Sequence, residues 1–200
     1  MIYSEKNSTL ILTNAATNTI KILGIDLVQE ISIEGSPFKG PENAPVTLAV
    51  FDDYQWPYCA RLEPLFQQVL GKYPEDVKLV VKHFPLKSRK MALKSALAAL
   101  SANNQGKFWE FHTKLFENFR SLNDQKIEEI AKELGLDMDK FLKDQKTPAL
   151  KNLIFRDIQN GSTAGVGGTP TLFVNGKRVK KRSFQGLSQM IEKELAKKSE

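Results

Sequence analysis

The feature that most constrains the fold is the stretch VTLAVF at 46–51, a nearly continuous apolar run of strand length. A strand without polar alternation has both faces covered, so this one belongs in the middle of a sheet. A helix follows directly: Pro57 suits a first helical position, and Leu62, Leu65, Phe66, Val69 and Leu70 recur at helical spacing. Pro64 lies inside that pattern and predicts a kink. VKLVVKHF at 77–84 reads as a second strand, which Pro85 ends. A strand, a helix and a strand in close succession make the two strands parallel neighbours, so the class is α/β.

Around this unit the remaining segments can be ordered. From residue 88 to about 145 the pattern is wholly helical: SRKMALKSALAALSAN is rich in Ala and Leu, and KFWEFHTKLFENF sets Phe108, Phe111, Leu115 and Phe119 on one stripe. DQKIEEIAKELG runs from a capping Asp124 to a terminating Gly135. This block, lying between two β regions, reads as an insertion. The sheet resumes in PTLFVNGKRVKKRSF at 170–184, where Asn175-Gly176 is a two-residue hairpin turn, and LSQMIEKELAKK closes the chain as a helix. Near the start, STLILT (8–13) and NTIKILGI (18–25) flank a polar NAAT and suggest a hairpin. GSPFKGPENAP at 35–45, with three prolines, reads as an irregular connector. The expected organisation is an N-terminal β extension over 1–34 and a main domain over 35–198.

Composition removes several classes. No apolar run approaches the roughly 20 residues needed to cross a bilayer. The first residues show neither the basic start nor the apolar run of a secretory signal. The net charge is +6, with basic residues crowded into 78–94 and 177–182. Those residues alternate with core positions instead of interleaving with aromatics, so the reading is a solvated basic face and no nucleic-acid partner. Cys59 is the only cysteine, which excludes an internal disulfide. His83 and His112 lack the short spacings of zinc ligands, so no metal and no cofactor are expected.

The chemistry concentrates in FDDYQWPYCARLEP, residues 51–64. A cysteine in the first turn of a helix that follows a strand sits where partial positive charge and free N–H groups favour the thiolate. Two cysteines separated by two residues exploit that position: the outer attacks a disulfide and the inner resolves the mixed disulfide. Here Trp56 stands at the outer position, and an indole carries no nucleophile. Asp52 and Asp53 end the first strand; a buried acid there could accept a proton from Cys59, with a capping or solvated role the default.

This segment resembles the active-site stretch of the DsbA-like thiol:disulfide oxidoreductases, whose pattern is close to F-x-D-F-x-C-P-x-C. The similarity extends in order through VVKHFPL, QGKFWEFHTKLFEN, LGLD and GVGGTPTLFVNG, and covers residues 35–198. It implies a thioredoxin-like fold with a helical insertion, in which Thr169 and Pro170 form a cis-proline loop facing the active-site helix. It also implies that Trp56 replaces the nucleophilic cysteine, that Pro57 and Tyr58 are the intervening dipeptide, and that Cys59 is the resolving cysteine. The family's substrates are proteins and its compartment is the periplasm or an equivalent space. A membrane redox partner would follow only if the dithiol were present.

Dithiol catalysis is therefore not expected of this chain. The reading is a polypeptide-binding variant that uses Trp56, Pro57, Tyr58, Thr169 and Pro170 as its groove. Two alternatives stay open: an oxidoreductase whose first cysteine is substituted here, and a monothiol redox protein acting through Cys59. The oligomeric state and the specific substrate are not written in the sequence.

Overall fold

The computed structural model describes residues 2–4, 9–14, 19–24 and 28–197. In chain order, β1 (Ile2–Ser4), β2 (Thr9–Asn14) and β3 (Thr19–Gly24) form a three-stranded antiparallel sheet. The expected hairpin is the β2–β3 pair, with β1 added along its edge; residues 15–17 of the polar break lie outside the described residues.

The main domain begins with β4 (Phe38–Lys39) inside the segment read as an irregular connector. Its two residues pair antiparallel with Val80 and Leu79, too short a contact for any sequence period to register. Next come β5 (Val46–Asp52), α1 (Pro57–Ala60), α2 (Glu63–Lys72) and β6 (Val77–His83). The helical block holds α3 (Ala92–Asn103), α4 (Phe108–Glu117), α5 (Asp124–Glu133), α6 (Met138–Asp144) and α7 (Pro148–Thr163). β7 (Thr171–Val174), β8 (Lys177–Arg178) and α8 (Phe184–Ala196) complete the chain. The second sheet has the order β4-β6-β5-β7-β8.

Three expectations need correction. The helix that follows β5 does not kink at Pro64 but breaks at Arg61 and Leu62, because Pro64 has no N–H to continue the ladder; it sits instead in the first turn of α2, where that donor has no helical partner to lose. The cap of α5 is Asn123, whose side chain accepts from the Lys126 N–H, and Asp124 is already helical. The helical block continues past 145 through the sixteen residues of α7. Gly135 ends α5 as expected, in the left-handed conformation at φ +69°.

β5 is the hub. It runs parallel to β6, with Val46 opposite Val77 and Asp52 opposite His83, and antiparallel to β7, with Phe51 opposite Thr171. Its far end thus meets the end of β6 and the start of β7, and everything that follows β5 or precedes β7 converges there. One face packs Leu48, Val50 and Leu172 against Phe66 and Val69 of α2 and Leu187 and Ile191 of α8. On the other, Phe51 and Phe173 meet Phe84, and Gly161 lets α7 approach so closely that a Cβ there would lie 2.9 Å from the Phe84 ring. Apolar burial on both faces explains why β5 lacks alternation.

The Asn175-Gly176 turn joins β7 to β8 with φ of +44° and +76°, the twist-compatible hairpin turn that the dipeptide predicts. Beneath α7, Lys82 is fully buried and ion-paired with Asp157. Its Nζ also donates to the Ser32 carbonyl at 2.6 Å and to Ser36 Oγ at 3.1 Å, while Asp157 Oδ2 accepts from the His83 N–H at 2.9 Å. This pair fastens α7, the end of β6 and the segment before β4 to one another.

Candidate functional site

Between β5 and α1 the chain turns through Asp53, Tyr54, Gln55 and Trp56, and side chains hold the turn. Asp53 Oδ1 accepts from the Gln55 N–H at 2.7 Å, and Asp53 Oδ2 from the Leu86 N–H at 2.8 Å. Gln55 Oε1 accepts from the Met91 N–H at 2.8 Å. Asp53 is thus buried and neither solvated nor a cap of α1, whose N-cap Trp56 carries no side-chain cap bond; it ties the turn before α1 to the loop after β6.

Trp56 occupies the N-cap of α1 with extended backbone, and its carbonyl accepts the Cys59 N–H at 3.0 Å. Its ring is half-buried against the helical core, 5.3 Å from the Tyr58 ring, with the Arg89 guanidinium 4.5 Å above its face. Tyr58 is 54% exposed, with Arg61 stacked at 5.0 Å. Pro57 supplies the fixed φ of the first helical position.

Cys59 is 2% exposed. Burial pushes its thiol far above the usual range and the nearby Asp52 carboxyl adds to the shift; the backbone at Asp53 and the Thr169 hydroxyl act weakly the other way. The start of a helix, read from sequence as favouring the thiolate, is outweighed by desolvation, because α1 is one turn long and its cysteine faces the core.

Thr169 lies beside Cys59 and its hydroxyl otherwise has no hydrogen-bond partner. The Thr169–Pro170 peptide is cis. Arg182 donates to the Pro170 carbonyl at 2.7 Å, and Thr171 Oγ1 donates to the Gly168 carbonyl at 2.7 Å. The structure thus brings Thr169 beside the thiol of Cys59, at the helix whose start carries Trp56, Pro57 and Tyr58. Sequence reading did not single out Arg89, Arg61 or Arg182, since only folding brings them to the rim.

Behind the site lies a buried polar layer. Tyr54 Oη and His112 Nδ1 are 2.8 Å apart, and His112 Nε2 reaches Glu63 Oε2 at 3.2 Å. His83 Nδ1 is 4.0 Å from Asp52 Oδ1, and neither ring nitrogen of His83 has a hydrogen-bond partner. Desolvation, helped by the charges of His112 and Lys82, lowers the His83 pKa from 6.5 to about 3. Desolvation, with Glu63, Asp53 and Asp157 nearby, holds the Asp52 carboxyl well above the usual carboxylate range. Among the described residues, no group of three or more His, Cys, Asp or Glu side chains is placed to hold a metal ion.

A parallel pair with an antiparallel third strand, a helix opening after the central strand, and a cis Thr169–Pro170 peptide beside that helix together define a thioredoxin fold, here carrying a helical subdomain. The model of the thioredoxin family matches residues 32–193. A thioredoxin-like oxidoreductase from Silicibacter pomeroyi DSS-3 superposes with a TM-score of 0.74 at 27% identity, over 82% of this chain and 94% of that one. Oxidised BdbD from Bacillus subtilis does so with a TM-score of 0.74 at 25% identity, over 86% and 98%. The chain belongs to the DsbA-like thiol:disulfide oxidoreductase family of thioredoxin-fold proteins. It is also 34% identical over 155 residues to the Na(+)/H(+) antiporter NhaA 3 of Salinispora tropica, a match that takes in 77% of this chain and 24% of the antiporter. The chain thus spans about a quarter of the length of the curated relatives it matches.

Proposed function

We propose that this chain is a polypeptide-binding member of its family that keeps the substrate groove and has lost dithiol exchange. The observation that carries this reading is Trp56: at the first position of the motif its indole packs over the start of α1, and the one thiol of the chain, Cys59, is 2% exposed. Disulfide exchange through an internal dithiol needs two sulfurs three residues apart, one to attack and one to release the substrate. The groove offers instead two adjacent aromatic faces, Trp56 and Tyr58, opposite Thr169 and Pro170, a surface suited to the apolar side chains of an extended peptide. The antiporter relatives carry a segment like this one, and ion transport is not extended to this chain. Disulfide chemistry belongs to oxidising spaces, and an extracytoplasmic location follows from family membership as part of the proposal.

Reduction of insulin by dithiothreitol tests the loss of exchange. The chain should leave the rate at that of dithiothreitol alone; acceleration matching an intact dithiol homologue overturns the reading. The intact surroundings of the site favour one second reading, an oxidoreductase with a single substituted position. Trp56→Cys should then form a reversible disulfide with Cys59 and gain exchange activity, whereas an inert Trp56→Cys protein places the divergence in the groove as well. The monothiol reading is opposed by the burial of Cys59 and its raised pKa; a glutathione adduct on the native protein after incubation with oxidised glutathione, seen by mass spectrometry, would reinstate it.

A further inference from the structure

We infer that Tyr54 is a redox-active tyrosine: when Trp109 has lost an electron, Tyr54 replaces it and in the same step passes its phenolic proton to His112. This role belongs to the buried layer behind the site and is independent of the peptide binding proposed above.

The phenol has a proton acceptor. Tyr54 Oη lies 2.8 Å from His112 Nδ1, and His112 Nε2 faces Glu63 Oε2 at 3.2 Å. A carboxylate only accepts hydrogen bonds, so Glu63 takes the Nε2–H; the neutral imidazole then presents Nδ1 as an acceptor and the phenol donates to it. Burial couples the two transfers, since Tyr54 is 1% exposed and His112 2%. Desolvation, with the Asp52 and Glu63 charges adding to it, holds the phenol well above its usual pKa range, so the proton does not leave first. Losing the electron alone would leave an uncompensated cation in the same surroundings. Moving both together leaves a neutral phenoxyl and an imidazolium whose charge meets the Glu63 carboxylate.

A path leads outward from this pair. The half-buried Trp109 ring is centred 5.3 Å from that of His112, which is centred 5.3 Å from that of Tyr54, so an electron crosses two ring contacts. Direction is set by the partners of the two rings. Trp109 Nε1 donates to the Phe38 carbonyl at 3.0 Å, and a main-chain carbonyl is a far weaker base than imidazole. The indole radical cation therefore keeps its proton and stays the stronger oxidant. The electron count closes: indole radical cation, phenol and imidazole become indole, phenoxyl radical and imidazolium. A one-electron oxidant of the azidyl or carbonate radical class starts the sequence at Trp109.

The test is pulse radiolysis of the full chain with azidyl radicals, followed by the absorption of the tryptophan and tyrosyl radicals. It is run on a protein with Tyr3→Phe, Trp56→Phe, Tyr58→Phe and Tyr73→Phe, whose remaining tryptophan and tyrosine are Trp109 and Tyr54. The indole signal should decay as the tyrosyl signal rises, at a rate independent of protein concentration. His112→Gln in that background should slow the transfer at least about tenfold, and Glu63→Gln, which keeps an acceptor for the ring without the charge, about threefold. Should the multiple replacement not fold, Tyr54→Phe in the wild-type chain should lower the tyrosyl yield at least about twofold. A tyrosyl signal that never appears, one whose rate scales with protein concentration, or one indifferent to His112→Gln overturns the inference. None of these results bears on peptide binding.

Discussion

His83 offers a quantitative test of how completely the layer behind the site is sealed. Its ring is buried between Tyr54 and Phe108, neither nitrogen is hydrogen-bonded, and the surroundings depress its pKa from 6.5 to about 3. Above pH 6.5 the ring is neutral whether the chain is folded or not, and it contributes no pH dependence. As pH falls below 6.5 the unfolded chain takes up a proton that the folded chain refuses, so stability is lost progressively down to about pH 3. At about pH 4.5 the two units separating that pH from the unfolded value correspond to about 3 kcal/mol. Asp52 acts in the opposite sense: its raised carboxyl takes up its proton in the folded state first, which adds stability on acidification, and it is present with or without His83.

The perturbation is His83→Leu, which keeps volume while deleting two buried nitrogens without partners. The assay is urea unfolding followed by circular dichroism between about pH 4.5 and pH 7.5 for both proteins. Near neutrality the two should differ by about 1 kcal/mol or less, since an apolar isostere replaces a buried polar group that has no hydrogen bond. At the acid end the wild-type protein should have lost about 3 kcal/mol more than the variant. Parallel stability profiles, agreeing within about 0.5 kcal/mol across the range, would refute the picture of a sealed, neutral imidazole.

Further outcomes follow from other contacts. Lys82→Met or Asp157→Leu alone should cost about 3–5 kcal/mol by stranding a buried charge, and Lys82→Met/Asp157→Leu should cost less than the two effects added; additive losses in denaturant titrations would show that the pair is not coupled. Trp56→Ala should raise the rate at which Cys59 reacts with a disulfide reagent about tenfold at mildly alkaline pH by admitting solvent to the sulfur, and an unchanged rate would place the shield elsewhere. Gly161→Ala sets helix propensity, worth about 1 kcal/mol in favour of alanine, against a Cβ 2.9 Å from the Phe84 ring and 3.0 Å from Phe51; the clash should win, with a net loss of about 1–3 kcal/mol on thermal unfolding.

What the sequence disclosed and what it concealed divide along physical lines. The parallel pair, the Asn175-Gly176 turn and the helices from α3 to α6 are written in local periods, because one run of residues must bury one face. α7 escaped because its buried stripe passes from Leu150 and Ile154 to Asp157, a charge at a core position that makes sense only once Lys82 is seen facing it from β6. At the site, the motif located Trp56, Cys59, Thr169 and Pro170, since their order along the chain carries the family's pattern. The state of the thiol was not legible: helix position is local, whereas the desolvation that outweighs it arises from the helical subdomain and from Asp52. The arginines beside the motif were equally hidden, lying at 61, 89 and 182.

Asp53 has a mechanical consequence. Its two oxygens join the turn that leads into α1 to the loop that leaves β6, so residues on both loops move as one body or not at all. The turn into α1 is thereby braced against the loop that leaves the sheet. In the binding role proposed above, accommodation of a ligand would therefore fall to the side chains over that turn, to indole, phenol and guanidinium rotations, a stiff cradle with a pliant lip.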